Sequence, residues 1–362
     1  MTPARSLSRI SVSPSLTGVH HLFIGSTMPK PKLGLPPLPP RSTLPHYIPN
    51  KSFCINSGTQ ERDYPGRAGI VNPRLADEFV RALGVRDGEF VLEMYPGVGG
   101  ITRALLSGGR SASPLLQARQ KAAWWNELKD QAPETPANAR KPVVPKDVFP
   151  NWIETFKNAE AEVAALEEEH KGEEEDEAKV TKPKHIVVAE PNTRIRKPCF
   201  ALDPLAQPTS HQTWEYVLAQ RQHSQEWLDG IHPCSVDDRI TVTGADPYTW
   251  ETAEYMLSHP VNQPHIPVWD PNAPPGPAQH YRNWSDPEPH ITYVASMPLS
   301  SVSESLIGQW LGSAVGAADG YPTWIWRWGR VRMAFLMSRW SYDVRLLCCA
   351  SIAPRVTADV SA

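Results

Sequence analysis

At 362 residues, 40% of them hydrophobic, the chain is long enough for one large domain or two ordinary ones. Its 38 prolines against 22 glycines point to long irregular segments, so the folded part is expected to be well under the full length. The net charge of -3 excludes a basic signature over the whole chain, no apolar run is long enough for a membrane span, and Cys54, Cys199, Cys234, Cys348 and Cys349 lack metal-ligand spacing, so no metal site is expected and the thiols read as free in a reducing compartment.

The amino terminus has its own composition. From Met1 to Gln60 there is no Asp or Glu, while Arg5, Arg9, Lys30, Lys32, Arg41 and Lys51 supply positive charge and Ser6, Ser8, Ser11, Ser13 and Ser15 supply hydroxyls. This reads as a mitochondrial transit peptide running into a polyproline-like linker from Leu33 to Pro45, the two together spanning 1–50; a basic tail without an address is the alternative. No packed structure is expected before about Asn50.

From Asn72 the pattern becomes regular. Asn72-Pro73 caps a helix carrying Leu75, Phe79, Val80 and Leu83, which Gly84 ends, and a turn at Arg86-Asp87-Gly88-Glu89 leads into the apolar strand Phe90 to Met94. Pro96-Gly97-Val98-Gly99-Gly100 then makes a tight turn where glycines let a ligand touch the backbone, and Ile101, Ala104 and Leu105 share one face of the helix that follows. The second strand is delayed. Residues 107–184 form an insertion, helical over Trp152 to Glu169 and otherwise without structure; it includes the acidic run Glu167 to Glu177, read as a solvated helix face, and Trp124-Trp125, which is placed to dock it on the domain.

The later strands end in acids or turns. His185 to Ala189 precedes Glu190, Arg239 to Thr243 precedes Gly244-Ala245-Asp246, and His290 to Ala295 precedes Ser296-Met297-Pro298-Leu299; a fifth strand runs from Val331 to Met337. Helices are expected over Thr209 to Leu228 and Val302 to Val315, and His259 to Pro289 reads as a proline-rich loop. Acids at strand carboxyl ends mark the ligand edge of an open α/β sheet, and Glu190 is placed to accept from ribose hydroxyls. Trp310, Trp324, Trp326, Trp328 and Trp340 lie among Arg327, Arg330, Arg332 and Arg339, a pattern that serves a core or a nucleic-acid surface equally well.

These motifs in this order resemble the rRNA adenine dimethyltransferases. Glu93-Met-Tyr-Pro-Gly97-Val-Gly99, Thr102-Arg103, Glu190, Gly244-Ala-Asp246 and Ser296 to Leu299 carry the resemblance, and Gly69-Ile-Val-Asn-Pro73 with the proline-containing loop is similar to the mitochondrial transcription factor B branch, fungal members especially. The resemblance covers roughly 50–106, 185–200 and 232–346. It implies a doubly wound, mostly parallel Rossmann-like methyltransferase sheet within 51–346. In the family a final strand pair and a small helical domain follow Arg345-Leu346; the tail 347–362 matches neither, so both are expected to be missing.

The resemblance also implies roles. Glu93, Tyr95, Gly97 and Gly99 would form the S-adenosylmethionine loop, Glu190 would hold the ribose and Asp246 would accept from the adenine amino group. Ser296, Met297, Pro298 and Leu299 would present a target adenine for methyl transfer. Three positions depart from the family: Ser296 replaces an Asn or Asp, Leu299 an aromatic, and Tyr95 a frequent glycine. Each departure weakens catalysis and leaves the fold intact. The implied function is a monomeric transcription initiation factor of the mitochondrial matrix acting with mitochondrial RNA polymerase and promoter DNA. An active dimethyltransferase of small-subunit rRNA and a truncated, inactive product are the alternatives.

Overall fold

Asn72 opens the first helix as its side chain allows. In the computed structural model, which describes residues 33–38, 69–128, 156–169, 180–191, 196, 199–200, 230–297 and 301–337, its Oδ1 accepts the Arg74 N–H at 3.0 Å and Pro73 takes the first helical position. Helix α1 (Pro73–Leu83) stops at Gly84, whose φ of 59° suits a residue without Cβ. Strand β1 (Phe90–Met94) follows, then α2 (Gly100–Ser107), α3 (Pro114–Leu128) and α4 (Ala159–Glu169). The chain continues through β2 (His185–Ala189), β3 (Ile231–Pro233), β4 (Ile240–Thr243) and α5 (Trp250–Ser258), and then through β5 (Ile291–Ser296), α6 (Ser301–Ala318) and β6 (Arg332–Leu336).

The six strands form one sheet in the order β3-β4-β2-β1-β5-β6, and only β3 runs antiparallel to its neighbour. Strand order reverses about β1. The chain steps outward through β2 and β4 and then returns to lay β5 on the other side of β1, so a crevice opens at the carboxyl ends of β1 and β5. Alternate residues serve opposite faces. Val91, Ile186, Val188, Ile240 and Val242 pack under α1 and α2 with Val80, Ile101 and Leu105, while Phe90, Leu92, Met94, Val187 and Tyr293 pack under α5 and α6 with Met256, Leu257 and Trp310. Helices on both faces of a mostly parallel sheet make this a Rossmann-like α/β fold.

Buried polar groups anchor the amino edge. Glu89 is fully buried and accepts two hydrogen bonds from Arg332 Nη2, at 2.6 and 2.8 Å, and one from Thr292 Oγ1 at 2.6 Å. Nearby, the rings of His185 and His265 stack at 3.8 Å and Thr241 Oγ1 donates to Asn262 Oδ1.

Several expectations need correction. Packed structure begins before Asn50, because Leu35 is buried beside α1 and α2 and the Pro36 carbonyl accepts from the Arg103 guanidinium. Helix α3 lies in a stretch read as structureless; Leu115, Ala118 and Trp124 are buried on different sides of it. Trp124 docks the insertion, packing with Phe156 and Val236. Of the tryptophans clustered near the last strands, the four that are described are core: Trp310, Trp324, Trp326 and Trp328 are all buried. The helix expected over 209–228, most of the transit segment, Trp340 and the tail 347–362 lie outside the described residues.

Candidate functional site

The carboxyl ends of β1, β2, β4 and β5 bring the predicted residues together. Glu93 shares the Val91 face of β1 and lies under α2, where Thr102 Oγ1 donates to its Oε2 at 2.6 Å. It is 1% exposed, and its Oε1 has no partner among the described residues. Burial pushes its carboxyl up to about 7, against the opposing pull of the Thr102 hydroxyl and the Arg103 charge. The result is a buried carboxyl with one oxygen left without a partner among the described residues.

Glu190 ends β2 and is equally buried. Its Oε2 accepts the Gly97 N–H at 3.2 Å, which ties the glycine loop to the second strand. Gly97 and Gly99 hold φ of 59° and 80°, as the turn requires. Arg103 clamps the loop from below, donating to the Val98 and Gly99 carbonyls at 2.7 and 2.9 Å and to those of Pro36 and Cys199. Desolvation lowers this guanidinium to about 10.

Tyr95 departs from its neighbours. It is buried with φ of 54°, a left-handed conformation that costs a non-glycine residue about 1 kcal/mol. Its backbone N–H donates to the Ala189 carbonyl at 2.9 Å and its hydroxyl donates to Asp246 Oδ1 at 2.7 Å. Its ring meets that of Tyr248 at 4.5 Å, and the Tyr248 hydroxyl donates to the Ser296 carbonyl at 2.9 Å. A pair of tyrosines thus bridges Asp246 to Ser296 across the crevice. Met297, fully buried, donates its N–H to Leu336, while Pro298 and Leu299 lie outside the described residues.

Three participants were not anticipated. The Arg196 guanidinium donates to the Glu190 carbonyl at 3.1 Å and fills the space a Cβ at Gly244 would take. Phe200 sits where a Cβ on Gly99 would fall, 2.9 Å from its Cζ. Tyr248 is the third, and an aromatic two residues beyond a strand-terminal acid was its only signal in the sequence. Among the described residues no cluster of metal ligands occurs and no helix is long and apolar enough to cross a membrane.

The acids thus stand at the carboxyl ends of the strands, while the chain's own Arg103 and Phe200 lie against Gly99 and Arg196 lies against Gly244. Compared with known proteins, the sequence matches no family model and no curated protein.

Proposed function

We propose that the chain is a nucleic-acid-binding protein on an rRNA adenine dimethyltransferase scaffold, of the mitochondrial transcription factor B branch, that acts in the matrix as an initiation factor with RNA polymerase at promoter DNA. The observation that supports a binding role over catalysis is the Tyr95 hydroxyl on Asp246. That carboxylate oxygen is the acceptor an adenine amino group would use. The Ser296 carbonyl, an acceptor suited to a target amine, already takes the Tyr248 hydroxyl. Internal pairing of Asp246 Oδ1 and of the Ser296 carbonyl competes with the alignment that methyl transfer depends on, which supports the binding reading.

A second reading, an active rRNA dimethyltransferase, is favoured by Glu93. An unpartnered buried carboxylate oxygen beside a glycine loop suits an ammonium or hydroxyl donor, and S-adenosylmethionine offers both. When bound it would supply an electrophilic methyl on sulfur; Glu93, Gly97 and Gly99 would hold its amino-acid part, Glu190 its ribose and Asp246 its adenine.

Calorimetry with S-adenosylmethionine on the whole chain separates the readings. Absent binding in the natural chain, gained in Tyr95→Gly, with promoter activity retained, supports the first. Tight binding by the natural chain that Glu190→Ala abolishes overturns it in favour of the second.

A further inference from the structure

Helix α4 carries five glutamates and no cation, and it lies on α3 over that helix's two cations. Glu167 pairs with Arg119 at 2.9 Å and Glu162 with Lys121 at 3.3 Å, while Asn126 donates to Glu160 at 2.9 Å. These contacts lie at the surface, where such pairs are weak and exchange readily. Apolar contact is concentrated at the other end. Phe156, just before α4, packs on Trp124, and Ala159 is the buried residue of the helix; Val163 and Leu166 are half-buried, and the residues between and after them are exposed.

We propose that α4 is an autoinhibitory strap that keeps Arg119 and Lys121 from a nucleic-acid backbone until phosphates displace its glutamates. The proposal rests on the nucleic-acid-binding role above and is independent of promoter choice. A helix docked for stability alone buries an apolar stripe along its length, whereas α4 buries little and is marginal by itself at eleven residues. Its glutamates hold the place that phosphate oxygens would take on the same two cations. A duplex also gains what a carboxylate pair lacks, since each cation that meets a phosphate releases condensed counterions.

The test is fluorescence anisotropy of a short labelled DNA duplex with the full chain at several salt concentrations. Glu162→Gln with Glu167→Gln frees both cations and keeps good helix formers in α4. That variant should bind the duplex about tenfold tighter than the natural chain at low salt, with the slope of log affinity against log salt steeper by roughly 2, one for each freed cation. Adding Arg119→Gln and Lys121→Gln should cancel the gain, while the same two changes in the natural chain, whose cations are covered, should matter little. Such non-additivity reports competition for the cations, which a merely structural contact would not produce.

Glu251→Gln with Asp319→Asn, exposed acids elsewhere on the chain, changes net charge equally and should not reproduce the gain. If the double variant of α4 does not fold, Glu167→Gln alone decides, with a slope steeper by roughly 1. Equal binding by the natural chain and the α4 variant, a gain that survives the loss of Arg119 and Lys121, or an equal gain in the Glu251 and Asp319 control overturns the strap and leaves nucleic-acid binding standing. So does a labelled polyglutamate peptide that gains where the duplex does not, since that assigns the freed cations to a protein. Absence of duplex binding by every chain removes the nucleic-acid reading and the strap with it.

Discussion

Replacing Glu93 by glutamine removes a buried carboxyl whose ionisation opposes folding. Its value rises from 4.5 to about 7 on burial, so between those pH values the folded chain holds a proton that the unfolded chain has released. Folding stability therefore falls as pH rises through this window and is flat on either side of it. With about 1.4 kcal/mol for each pH unit of difference, most of the window crossed between pH 5 and pH 8 amounts to about 2–3 kcal/mol. Glutamine keeps the Thr102 hydrogen bond and cannot ionise. Urea unfolding of natural chain and Glu93→Gln at several pH values isolates the carboxyl, because every other titrating group is common to both. The variant should gain on the natural chain by that amount from pH 5 to pH 8. A difference that stays constant with pH would refute the buried, donor-poor environment assigned to Glu93.

Other consequences concern the fold. Arg332→Met leaves Glu89 buried without its main cation and should cost about 3–5 kcal/mol in urea unfolding. Gly100→Ala would ordinarily favour a helix by about 1 kcal/mol, yet a Cβ there overlaps the Ile70 carbonyl oxygen, so the melting temperature should fall instead of rising. His185 is held neutral, its value lowered to about 3 by burial and by the facing His265, with Lys184 adding to this and Asp238 opposing it. Its folded value lies below the unfolded 6.5, so stability is complete above pH 6.5 and is lost as pH falls toward 3, by about 3 kcal/mol at pH 4; His185→Phe should flatten this limb in acid unfolding curves.

The parallel core was legible because burial on both faces writes itself as short apolar, β-branched runs. Phe90 to Met94, His185 to Ala189 and Ile291 to Ser296 are buried along their whole length. Strand β3 left no such trace: Ile231-His232-Pro233 has one buried residue and exists through pairing with β4. Helix α3 lacks a clean apolar stripe because neighbours cover several of its sides, Leu35 accepting from Gln120 and Trp124 meeting Phe156. The packing of Leu35 itself is a tertiary effect. A buried Arg103 needs carbonyl acceptors, and Pro36 supplies one from 67 residues away.

At the site the acids were legible and their occupancy was not, since a contact spanning 151 residues leaves no local pattern. The placement of Tyr95 rests on a small balance. Holding Tyr95 at φ of 54° costs about 1 kcal/mol, while its hydrogen bond to the Asp246 carboxylate returns about 1.5–3 kcal/mol and ring burial adds to that side. The hydroxyl contact therefore outweighs the backbone cost of holding Tyr95 in the left-handed region. A glycine there would relax the backbone and release Asp246 Oδ1 from the tyrosine hydroxyl at the same time, which makes Tyr95→Gly the variant that tests the proposed function.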